Sequence, residues 1–94
     1  MFTIYLKFKE DDLLNEIFND LIIRLRNKSS NNEEGLTENE IINIYCEKYR
    51  IEYSYFLKKY FKSLEKLREK NPRIKKIENC VNGKKSIVWF YSNI

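Results

Sequence analysis

SYFLKKYFKSLEKLREKNPRIKKIENCVNGKKSIVWFY, residues 54–91, is the stretch that decides the fold of this 94-residue chain. It opens on Ser54, whose hydroxyl type favours helix starts, and continues with apolar residues at helical spacing. Asn71-Pro72 ends that pattern, because the residue before a proline disfavours helical torsions and proline has no N–H to donate. A helix is therefore expected over Ser54 to Lys70. Two β-rich runs follow, Ile74 to Val81 and Lys85 to Tyr91. They are joined by Asn82-Gly83, a dipeptide that accepts the left-handed torsions of a two-residue hairpin turn. Such a turn pairs Val81 with Lys84 and Ile77 with Val88. It places Ile77, Val81, Val88 and Phe90 on one face, which is expected to cover the helices.

Wound at about 100° per residue, the 54–70 helix gathers Phe56, Leu57, Tyr60, Phe61, Leu64 and Leu67 on a core arc. The opposite arc presents Tyr55, Lys58, Lys59, Lys62 and Lys66, with Glu65 and Glu69 toward its edge and far end. Lysines reach phosphates and base acceptors, and a tyrosine can hydrogen-bond or meet a thymine methyl, so this arc has the chemistry of a major-groove reader. Lys84 and Lys85 flank the hairpin turn, and Arg73, Lys75 and Lys76 add charge at its base. The alternative is a merely solvated lysine face, which the surrounding order of elements argues against.

Working upstream, Thr37 followed by Glu40 forms a capping box that starts a second helix, with Ile41, Ile42, Tyr45 and Tyr49 inward and Arg50 to Tyr53 as a short connection. Asp11 and Asp12 supply negative charge at an earlier helix start. Leu13, Leu14, Ile17, Phe18, Leu21, Ile22 and Leu25 then draw an apolar stripe over a first helix from about Asp12 to Asn27. Lys28 to Gly35 is polar and aperiodic, hence a loop. Phe2, Ile4, Leu6 and Phe8 alternate with polar residues, the period of a strand with one buried face.

The composition narrows the function. The chain has a net charge of +4, but residues 1–47 carry five basic and ten acidic side chains while residues 48–94 carry thirteen basic and four acidic. A positive field concentrated on one part of a small domain is the electrostatic footprint of a nucleic-acid binder. Histidine is absent and glycine occurs only at positions 35 and 83. These absences remove the commonest general base, any triad built on histidine, and a glycine-rich phosphate loop. No enzyme activity, cofactor, metal or small-molecule ligand is expected.

Cys46 and Cys80 read as small core residues; a disulfide between them is the sharper alternative, uncommon inside cells. The length suits one domain over residues 1–94. No apolar run approaches the roughly 18 residues that span a bilayer, so a soluble, cytoplasmic protein is expected. Isoleucine, lysine and asparagine dominate while alanine and glutamine are missing, the mark of an A·T-rich coding sequence.

From about Asp12 to Tyr91 the order of elements resembles the winged-helix family. The likeness rests on Leu36-Thr37 through Ile41 opening helix two, Ser54 opening the basic helix, Leu64 to Leu67 closing it, and the Asn82-Gly83 wing turn. The resemblance implies an α+β fold of three helices plus a C-terminal β-hairpin wing, with helix 54–70 in the major groove of double-stranded DNA and the 74–91 hairpin touching backbone or minor groove. It implies a transcriptional regulator whose DNA-binding residues are Tyr55, Lys58, Lys59, Lys62, Lys66, Arg73, Lys75, Lys76, Lys84 and Lys85.

The chain departs from the family in two ways: the outer arc has lysines where arginine would read guanine bidentately, and the N-terminal strand is extra. In size, composition and lysine usage the chain is similar to small winged-helix proteins of archaeal viruses, which would place it in a host cytoplasm. A homodimer is expected, because one recognition helix spans few base pairs; the strand Phe2 to Phe8 and the broad apolar face of helix one are its candidate interfaces. The alternative function is a winged-helix protein-interaction module, with the strand edge joining a partner sheet.

Overall fold

The computed structural model describes residues 10–93, and the strand expected over Phe2 to Phe8 lies outside the described residues. Three helices and a three-stranded antiparallel sheet make an α+β fold. Helix α1 spans Glu10–Ser30, strand β1 Leu36–Thr37 and helix α2 Glu38–Tyr49. Helix α3 covers residues 53–70 without a break. It is α-helical over Tyr53–Phe56, π-helical over Leu57–Phe61 and α-helical again over Lys62–Lys70. Strands β2 (Ile74–Val81) and β3 (Lys84–Tyr91) form the C-terminal hairpin.

The hairpin register is the one that a two-residue turn requires, with Val81 opposite Lys84 and Ile77 opposite Val88. Asn82 and Gly83 both hold positive φ, 53° and 79°, the geometry for which this dipeptide is suited. The short strand β1 was not expected from the sequence. It pairs Leu36 with Trp89 and Thr37 with Val88, so the sheet order is β1-β3-β2. Gly35 makes this pairing possible, since a Cβ there would lie 1.7 Å from the carbonyl oxygen of Trp89.

The Thr37–Glu40 capping box is formed: the Glu40 N–H donates to Thr37 Oγ1 (3.1 Å) and the Thr37 N–H to Glu40 Oε1 (2.9 Å). Helix α2 ends at Arg50, which takes the left-handed conformation (φ 55°) without being a glycine. Residues 50–52 are all that separate α2 from α3, the length of turn found in helix-turn-helix pairs. Ser54 is not the cap expected of it. The cap position falls on Glu52, and the Ser54 hydroxyl donates to the Glu52 carboxylate (2.9 Å).

The core draws on every helix and on the sheet: Ile17, Leu21 and Leu25 of α1, Ile41 and Tyr45 of α2, Phe56 and Leu64 of α3, and Trp89 of β3 are each 0% exposed. Each such burial contributes about 1.5–3 kcal/mol relative to an exposed side chain. Three side-chain contacts fix Trp89 against the helices. Its indole N–H donates to Glu38 (2.9 Å), the Phe61 ring lies 5.8 Å away, and the Arg68 guanidinium sits 5.6 Å above it.

This corrects the expected hairpin face. Ile74 and Trp89 face the core, whereas Ile77 is 51% exposed and lies with Phe90 and the buried Val88 (7% exposed) on the other side of the sheet, beside a shallow hollow of about 370 Å³. The cysteine reading also needs correction. Cys46 is partly buried against the core, but Cys80 is exposed near the hairpin turn, and both are free thiols.

Candidate nucleic-acid interface

The π-helical stretch sets the surface that α3 presents. A π turn takes more residues than the 3.6 of an α turn, so Phe56, Tyr60 and Leu64, spaced by four, all stay turned to the core. The same winding carries Leu57 outward to 37% exposure, although regular helical spacing puts it on the core arc. The outer arc is otherwise as expected: Tyr55, Lys58, Lys59, Lys62 and Lys66 are all exposed. Lys58, Lys62 and Lys66 follow one another at four-residue intervals and make no ion pair with any described residue. Tyr55 packs edge-on against the Tyr60 ring, 6.2 Å between centroids, which holds it at the start of the helix.

The acidic residues near this row divide by position. Glu65 is partly buried and accepts from Lys76 Nζ at 3.0 Å, tying α3 to β2. That contact engages Lys76, one of the expected DNA-binding residues, within the protein. Glu69 remains exposed near the far end of the helix.

The hairpin lysines separate by strand parity. Lys75 points to the same side as Ile77, and Lys76 to the side of Trp89. Lys84 and Lys85 are both exposed next to the turn. Lys85, Ser86 and Ile87 line a hollow of about 170 Å³ with Thr37, Glu38 and Asn39 at the start of α2. Asn39 in turn accepts from the Tyr53 hydroxyl at 3.1 Å, which anchors the first turn of α3 to α2. Tyr53 at the start of α3, the start of α2 and the base of the turn thus adjoin one another, whereas Arg73 is exposed at the entry to β2. Asn39 and Leu57 escaped the sequence reading: the first looks like a helix-start residue, and the second changes sides only through the π turn.

A second cluster of polar groups has a structural role. The carboxylate of Asp20 on α1 accepts from the Tyr45 hydroxyl (2.6 Å) and from Arg24 (2.7 Å), with Lys48 at 3.6 Å. Burial pushes the Asp20 carboxyl upward, but the Tyr45 and Arg24 hydrogen bonds and the charges of Arg24 and Lys48 outweigh it and hold the group below its usual range. Burial, and then the bond to Asp20, raises the Tyr45 phenol. The Tyr49 hydroxyl donates to Glu16 at 2.5 Å, and burial followed by that bond raises it as well.

Among the described residues no group of histidine, cysteine, aspartate or glutamate is placed to hold a metal ion, and no helix is long and apolar enough to cross a membrane. Comparison with protein-family models, curated proteins and solved structures finds no match.

Proposed function

We propose that this chain is a winged-helix protein that binds double-stranded DNA, with α3 in the major groove and the β2–β3 hairpin as the wing. It acts as a cytoplasmic transcriptional regulator, by occupying its site as a homodimer. The observation that carries the reading is the row of Tyr55, Lys58, Lys59, Lys62 and Lys66, exposed together on the second helix of a pair joined by a three-residue turn. In helix-turn-helix proteins that second helix reads the major groove.

Lys84 and Lys85 beside the Asn82-Gly83 turn support the wing assignment, since their ammonium groups suit the phosphates that flank the groove. Lys76 keeps its place in the expected contact set, although in the free protein it pairs with Glu65.

A gel-shift titration with random and genomic duplexes, at two salt concentrations, tests the proposal. Binding that weakens steeply with salt is expected, and Lys58→Glu with Lys62→Glu abolishes it while circular dichroism stays unchanged. A folded double variant that binds as well as the parent overturns the assignment of α3. A stable complex with a protein partner, and no DNA affinity, replaces it with an interaction module.

A further inference from the structure

Three large side chains with apolar surface are exposed on the first half of α3, Tyr53 (43%) and Leu57 (37%) on one side of the helix and Tyr55 (49%) on the other. Leu57 is the unusual one, an aliphatic residue turned outward by the π-helical winding and adjacent to Lys58. Its side of the helix is defined by its neighbours at four-residue intervals. Tyr53 bonds Asn39 at the start of α2, Phe61 lies against Trp89, and Glu65 holds Lys76. Leu57 therefore flanks the lysine row on the side nearest α2 and the hairpin.

The side chains that α3 lacks are equally informative. Residues 53–70 contain no asparagine or glutamine, and their one arginine, Arg68, is held over the Trp89 ring. The bidentate pairings that distinguish guanine or adenine in the major groove need arginine, asparagine or glutamine. Lysine supplies charge and single hydrogen bonds. Apolar surface recognises the thymine methyl, the hydrophobic group among the major-groove edges.

We infer that Leu57 reads a thymine C5-methyl group, so that the protein selects thymine-rich duplex while the lysine row holds the flanking phosphates. The inference rests on the DNA-binding reading above and names its substrate class. The chain's own residue bias agrees with it, since isoleucine, lysine and asparagine in excess over alanine mark an A·T-rich coding sequence. Thymine is the abundant pyrimidine in such DNA.

The test compares two short duplexes of identical A·T-rich sequence, one containing thymine and the other deoxyuridine, titrated with the full chain by fluorescence anisotropy. Burying a methyl-sized group changes affinity by about fourfold, so the thymine duplex should bind about fourfold more tightly for each methyl that the protein covers. Leu57→Ala should bind both duplexes alike while keeping the parent's salt dependence, because the lysines still neutralise the same phosphates. Equal affinity of the parent for the two duplexes overturns the inference, as does undiminished discrimination in Leu57→Ala. In both cases DNA binding itself stands. Failure to bind either duplex overturns the DNA-binding reading as well. The parent comparison needs no variant, so it does not depend on how Leu57→Ala folds.

Discussion

Gly35 shows how closely one residue controls this sheet. A Cβ built there would meet the Trp89 carbonyl oxygen at 1.7 Å and its carbonyl carbon at 2.6 Å, and both atoms belong to backbone that β1 and β3 hold in register. Gly35→Ala is expected to destabilise the fold by about 1–3 kcal/mol, the usual cost of forcing extra atoms into a packed site. Chemical denaturation should show a lower midpoint; an unchanged midpoint would mean that β1 can move aside freely. The sequence marked Gly35 only as the end of a polar loop, because a glycine required by close approach looks the same as one in a flexible turn. Trp89 was hidden for a different reason. Ile87 to Tyr91 are all apolar, so the strand has no alternation to show which side faces the core, and β2 offers Ile74 to one face and Ile77 to the other. The expected face followed Ile77; the large indole, held by Glu38, Phe61 and Arg68, belongs to the opposite one.

The elements were more legible than the faces. Capping box, proline stop and Asn-Gly turn are local signals whose chemistry acts within a few residues, and all three mark real boundaries. The π-helical stretch has no comparable local signal, which is why the outward turn of Leu57 went unseen while the lysine row did not. For the wing, Lys84→Ala with Lys85→Ala is expected to weaken DNA binding evenly across sequences and to flatten the salt dependence by roughly two units of slope, about one for each phosphate no longer neutralised. An effect confined to one sequence would make the wing a base reader instead. The α1–α2 seam predicts the response to pH. Asp20 has a folded pKa below its unfolded value, so its contribution is complete above about pH 4 and is lost as the pH falls through the folded value. Tyr45 and Tyr49 have folded values above their unfolded one, so their contributions are complete below about pH 10 and decline as the pH rises beyond it. With no histidine in the chain, stability should be flat from the acid limb until about pH 9, where the Cys46 thiol, raised by burial, adds to the alkaline decline. Thermal melts across pH check this, and Asp20→Asn should lower the plateau and shrink the acid limb. A midpoint that changes sharply near pH 6.5 would contradict the assignment.

At the scale of the whole molecule, the order of elements was readable because each helix and strand announces itself locally, while the third strand that closes the sheet was not, since Leu36–Thr37 is too short for a periodic pattern. The broad apolar stripe of helix α1 suggested a dimer face, yet Ile17, Phe18, Leu21 and Leu25 are buried, and Leu13, Leu14 and Ile22 pack against the same core. Only Ile23, at 50% exposure, remains a large exposed hydrophobe on the described part of that helix. Breadth on α1 therefore reflects contact with α2, α3 and the sheet, and it gives no support to self-association. A homodimer then follows only from the proposed DNA recognition, in which one α3 would reach few base pairs and a two-fold pair on a palindromic site would multiply the discrimination of each copy. If the protein pairs in this way, the contact must use surface other than the α1 stripe, with the alternating segment Phe2 to Phe8 as the sequence's own candidate. Sedimentation equilibrium at micromolar concentration is expected to give twice the 11.5 kDa chain mass. Substituting Ile4 and Leu6 by lysine should then return it to the single-chain value. A mass near 11.5 kDa for the parent at every concentration would remove the dimer and make each α3 an independent reader.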